Sequence, residues 1–256
     1  MTILPHSICP RATAVAAAAV LMTAAAPRVT AQAYAGLQVR VVPTSVTSAG
    51  ATTSITYAVE NAAESEVPLE MLVLDAPVRP SETVLPPVQP DADYLLDYGY
   101  GTMKALSLGF LFPLRPGQRR EAFAVRTPGL PAIVPYWVIP DLPVEEIVEE
   151  TGPVERLPQR DAFTLDDRAG LTVGVAPAPA DQSEVGLTER LRGLLGQSCT
   201  LGWISPKGVC NSLEVKIRNG NLQAYINELE AQRGKHVNES AYFLLRSNAE
   251  YIVARQ

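Results

Sequence analysis

Few side chains in this chain are of a type and spacing that could do chemistry. His236 is the sole histidine beyond the first few residues, so a Ser-His-Asp triad would have to use it. No Gly-x-Ser-x-Gly elbow accompanies it, and neither Walker nor dinucleotide-binding glycine spacing occurs. Its bland role is capping or packing in the stretch Gln232-Arg233-Gly234-Lys235-His236. Cys199 and Cys210 flank a segment containing Gly202, Pro206 and Gly208. They read as a disulfide closing that loop, with a redox pair or a zinc site as the rival. Zinc takes about four N or S ligands, and only His236 is left to join the two thiols. No metal or cofactor is expected. The run from Asp91 to Gly101 holds Tyr94, Tyr98 and Tyr100 beside Asp91, Asp93 and Asp97. As one loop it would suit a sugar or a peptide, while calcium lacks its Asp-x-Asp-x-Asp-Gly spacing. Asp91 with Asp97 is also a candidate carboxylate pair for glycoside hydrolysis, which needs two acids about 5–9 Å apart.

Those residues sit in a chain that reads as exported. Residues 1–33 have the form of a signal peptide: Arg11, an apolar run from Ala14 to Ala26, the break at Pro27 and Ala31-Gln32-Ala33 as cleavage site. A membrane anchor is the alternative, but the run is shorter than the ~20 residues a spanning helix needs. Removing Arg11 and Arg28 from the 21 basic residues leaves 19 against 27 acidic ones, a net charge near −8. Such a charge gives no general hold on a nucleic-acid backbone, so no nucleic-acid partner is expected. No later apolar run is long enough to span a membrane. An exported, oxidising setting favours the disulfide, which at this loop length is worth roughly 3 kcal/mol.

The elements that would position these groups fall into two kinds. Residues 34–140 have strand character, with Leu37, Val39 and Val41, then Ile55, Tyr57 and Val59, at period two. Further strands are expected at 70–74, 105–112, 121–126 and 133–139, separated by turns at 48–50, 115–117 and 128–131. Six or seven short strands predict an antiparallel β-sandwich of immunoglobulin-like type. The five prolines from Pro77 to Pro90 predict a long connection across one end. Residues 141–182 are acidic and proline-rich and predict an extended linker, with one strand at 171–175 returning to the sandwich edge.

Residues 183–256 switch to helical spacing. Leu187, Leu191, Leu194 and Leu195 share one face, with Ser183 or Thr188 as cap. Asn211 would cap a short helix burying Leu213 and Ile217. Leu222, Tyr225, Ile226 and Leu229 mark the next helix, which Gly234 closes. Asn238 caps the last, with Val237 stapled on Tyr242. The last two helices should fold back on each other as a hairpin.

The phrases GVCNSLEVKI, LQAYINELEAQRGKHV and NAEYIV, at about residues 199–253, resemble the FIMAH domain, a small helical module found in membrane-associated hydrolases. Only four residues separate Ile217 from Leu222, where that family carries a longer first helix and linker. Because FIMAH modules sit beside catalytic domains, the resemblance implies an accessory role in docking an envelope protein or hydrolase. Tyr242 and Phe243 are the candidate anchors. The expected whole is β + α: a sandwich followed by a small helical module, in a non-enzymatic exported envelope protein. The alternatives are a glycan- or peptide-binding sandwich using Tyr94, Tyr98 and Tyr100, and a hydrolase with an unidentified carboxylate site.

Overall fold

A computed structural model describes residues 36–84, 94–100, 103–141 and 168–256. The leader expected at 1–33, Asp91, Asp93 and the acidic stretch 142–167 lie outside these residues. The architecture is mixed β and α, with two antiparallel sheets followed by four helices.

The strands are β1 (Val39–Ala49), β2 (Thr52–Asn61), β3 (Leu69–Asp75), β4 (Glu82–Val84), β5 (Tyr94–Tyr100), β6 (Met103–Leu114), β7 (Arg119–Pro128), β8 (Leu130–Pro140) and β9 (Gly170–Ala176). One sheet runs β1-β2-β7-β4 and the other β5-β6-β3-β8-β9. Alternation carries Ile55, Tyr57, Val125, Leu72, Leu108 and Val173 into one shared core between them. Three hydroxyls stitch the sheets across that core. Tyr57 donates to the Val173 carbonyl at 2.8 Å, Tyr136 to Val39 at 2.7 Å and Thr172 to Val41 at 2.7 Å. Each bond satisfies a buried polar atom that would otherwise be costly to desolvate.

The chain changes sheets at Gly129, the single residue between β7 and β8. Its φ is +132°, its N–H donates to Ala51 at 2.7 Å, and an added Cβ would overlap the Ala176 carbonyl. Only glycine fits such a corner. A second apolar cluster, Val73, Tyr100, Ala105, Trp137 and Ile139, occupies the outer face of the five-stranded sheet.

Three expectations are corrected here. Tyr94–Tyr100 is a strand, not a loop, because it pairs with β6 from Tyr94↔Phe110 to Tyr100↔Met103. The proline-rich connection contains β4, which pairs with β7 at Thr83↔Val125. Asn211 caps nothing: its helix already starts at Lys207, behind Pro206. The strand expected at 171–175 is β9, paired with β8 along seven residues.

The helices are α1 (Glu184–Thr200), α2 (Lys207–Arg218), α3 (Leu222–Gln232) and α4 (Glu239–Val253). Ser183 accepts from Gly186 N–H, Asn221 from Ala224 and Asn238 from Ala241, each cap worth about 1 kcal/mol. Gly234, at φ +70°, turns α3 into α4. The connection between α1 and α2 pairs with that turn: Ser205 N–H donates to the His236 carbonyl at 2.9 Å and Asn238 N–H to Trp203 at 3.0 Å.

The helices share the core of the sheets, with Leu191, Leu244, Leu245 and Ile252 joined to Val41, Val46 and Val134 in one cluster. α4 packs on β1, β8 and β9. Ser247 and Asn248, both buried, donate to Val46 and Pro131 carbonyls, and Arg190 of α1 reaches the same Pro131 oxygen at 2.8 Å.

Candidate functional site

Cys199 and Cys210 are disulfide-bonded, with Cα atoms 6.3 Å apart. Cys199 lies in the last turn of α1 and Cys210 in the first turns of α2, so the bond clamps two helix ends rather than closing a free loop. Against the clamp lies a surface groove of about 560 Å³. Leu195, Ile204 and the two cysteines supply its apolar wall, and Lys207, Asn211 and Glu214 its polar edge. Glu214 is bound by Arg192 of α1 at 2.8 Å. Leu201 and Val215, next in sequence to lining residues, are about 40% exposed. Exposed large aliphatics carry a desolvation gain that a partner would realise on covering them.

A second cleft of about 430 Å³ shares Gly202 and Ser205 with the first and is lined by Trp203, Lys235 and His236. His236 therefore sits at a surface cleft, where its backbone bonds to Gln232 and Ser205 hold it in the turn. Nearby Arg233 pairs with Glu239 at 2.7 Å and lies over the rings of Tyr242 and Phe243. Among the described residues, no three His, Cys, Asp or Glu side chains converge as metal ligands.

The candidate anchors separate. Tyr242 is 1% exposed, with its hydroxyl bonded to Glu230 and Arg246, so its ring is core and not a docking surface. Burial is the main cause of its raised pKa. Phe243 remains half-buried, edge-on to Tyr242 at 5.1 Å.

The tyrosines of β5 do not form one surface either. The register slips between Tyr98 and Tyr100, so Tyr98 opposes inward-facing Leu106 while Tyr100 opposes Met103 of the outer cluster. Tyr100 is buried; Tyr98 donates to the Ala76 carbonyl at 3.1 Å, and Arg79 lies over its ring. Tyr94 has its backbone in β5, while its side chain is outside the described set. Asp97 is exposed and accepts from Tyr98 N–H; its proposed carboxylate partner, Asp91, is outside the described residues.

Sequence reading missed the groove because its lining comes from α1, α2 and the connection between them, which no single sequence period relates. The usable signal was the disulfide itself, which forces two helix ends together and leaves a re-entrant corner. No family model, curated protein or solved structure matches the chain.

Proposed function

We propose that this is an exported, non-enzymatic accessory protein of the bacterial envelope whose helical part docks an envelope protein or hydrolase in the groove beside the disulfide. The groove is the observation that carries the reading: it is the larger of the two clefts above and has an apolar wall, and exposed Leu201 and Val215 are each next in sequence to a residue that lines it. The docking face is thus at the α1–α2 corner and not on α4, whose inner face is committed to β1, β8 and β9.

The FIMAH-like wording of residues 199–253 supports an accessory role, and the disulfide supports export, since disulfides persist in oxidising compartments. The two sheets serve as an immunoglobulin-like platform in this reading; the strand order β6-β3-β8-β9 opposite β1-β2-β7 agrees with that type. A glycan site on β5 is disfavoured, because Tyr100 is buried and Arg79 covers the Tyr98 ring.

The test is site-specific photo-crosslinking from the mature chain in envelope extract, with the probe at Asn211 or, as control, at exposed Arg115 of the β6–β7 turn. A partner captured from Asn211 alone, and lost on Leu201→Glu with Val215→Glu, supports docking at the groove. Equal capture from both positions, or none from either, overturns it.

A further inference from the structure

We infer that the segment seated in this groove is an acidic peptide carrying an apolar anchor, an inference that rests on the docking role proposed above. The chain as a whole is acidic, at −6, yet α2 reverses that sign: Lys207, Lys216 and Arg218 stand against one acid, Glu214. Two of those four charges and their neighbours are already matched. Glu214 is bound by Arg192 at 2.8 Å, and Lys216 by Glu228 at 2.7 Å. Among the described residues no carboxylate pairs with Lys207 or Arg218, and both are exposed.

Position completes the argument. Lys207, Asn211, Glu214 and Arg218 stand at i, i+4, i+7 and i+11, which places them in one stripe along α2. The first three line the groove. Lys207 and Arg218 are then about 16 Å apart along the helix axis, at 1.5 Å per residue. An extended peptide covers that span in about five residues. Glu214 lies between the two cations and, although held by Arg192, repels an acid set directly against it. The complementary segment therefore has two acids about five residues apart, flanking an apolar side chain that enters the wall of Leu195, Ile204 and the disulfide. In this division of labour the apolar anchor supplies affinity while the charges set orientation and approach rate. A long polyanion fits poorly, because two cations about 16 Å apart make too few phosphate contacts to hold such a backbone against salt.

The experiment uses the oxidised mature chain and two fluorescein-labelled peptides. One carries Asp residues five apart around a central Leu; the other has Asn in place of each Asp. Fluorescence anisotropy should show the acidic peptide binding roughly tenfold tighter at low salt, a difference of about 1.4 kcal/mol. That preference should vanish in 0.5 M salt, as screening predicts, and with Lys207→Glu combined with Arg218→Glu. Both positions are exposed, and circular dichroism and melting of the variant confirm that it is folded. Equal binding of the two peptides overturns the acidic inference and leaves the docking groove standing. Preference retained by the charge-reversed variant also overturns it. Binding of neither peptide overturns the inference, and the photo-crosslinking result then decides the docking role separately.

Discussion

The side-chain amide of Asn248 donates to the carbonyl of Pro131 across 3.1 Å, joining residues 117 apart in sequence. Its nitrogen also reaches the Leu244 carbonyl at 2.7 Å, and Arg190 donates to the same Pro131 oxygen. One carbonyl at the start of β8 thus receives two of the four helices. Asn248→Ala removes a buried donor from two acceptors, so it should lower stability by about 1–3 kcal/mol. Urea denaturation followed by circular dichroism measures this; a change under 0.5 kcal/mol would show that the contact contributes little.

Trp137 lies on the outer face of the five-stranded sheet and Trp203 beside the helix-end clamp. Because one cluster runs through sheets and helices, the two parts should unfold together. Cys199→Ser with Cys210→Ser should cost roughly 3 kcal/mol by loop-closure entropy. Single-tryptophan variants carrying Trp137→Phe or Trp203→Phe should report one coincident midpoint before and after that change. Separated midpoints would contradict a shared core.

Burial pushes the Tyr136 hydroxyl up to about 12, with the Val41 backbone and Arg40 pulling weakly the other way. The unfolded side chain ionises near 10. Below pH 10 both states keep the proton and the stabilisation is fully present. Between about 10 and 12 only the unfolded state ionises, so stability falls as pH rises, by about 3 kcal/mol over that window. Tyr57 is shifted in the same direction by burial. Urea midpoints at pH 8, 10 and 11 should decline, and Tyr136→Phe should flatten part of the slope while losing the bond to Val39.

Gly129→Ala should be among the most damaging single-methyl additions. The residue holds φ +132°, and its Cβ would overlap the Ala176 carbonyl oxygen and meet Val175 at 2.9 Å. A loss above about 2 kcal/mol, or failure to accumulate folded protein, is expected. By contrast Gly50→Ala has open space and only its φ of +57° to accommodate. A Gly129→Ala protein as stable as Gly50→Ala would refute the steric account.

Period-two alternation in Leu37–Val41 and Ile55–Val59 and helical spacing in Leu187–Leu195 and Leu222–Leu229 were legible because each places one apolar face in the core. The caps Ser183 and Asn238 were legible for a local reason: their side chains answer a backbone donor three residues on. β5 was not, since Asp97 and Gly99 weaken strand propensity and its pairing with β6 is a tertiary fact. β4 hid among prolines for the same reason. The start of α2 at Lys207 was misplaced because Asn211 is a good cap by type, whereas the helix begins behind Pro206 without any side-chain cap bond.

Of the candidate site, the cysteine pair was readable and the groove was not. A groove is a relation between α1 and α2, and nothing in Leu201 or Val215 taken singly announces it. Tyr242, the fourth residue of α4, carried two expectations at once, staple partner of Val237 and docking anchor, and its burial together with Val237 and Ala241 fits the first.

Ser247 donates to the Val46 carbonyl, 201 positions away in sequence. On the ribosome β1 emerges well before α4, the helix that covers it. Until α4 arrives, the nascent chain carries an uncovered apolar flank at β1, β8 and β9. That flank is an invitation to holdase chaperones and to self-association during biogenesis, and truncations that remove α4 should leave a sticky, short-lived polypeptide instead of a shortened but serviceable one.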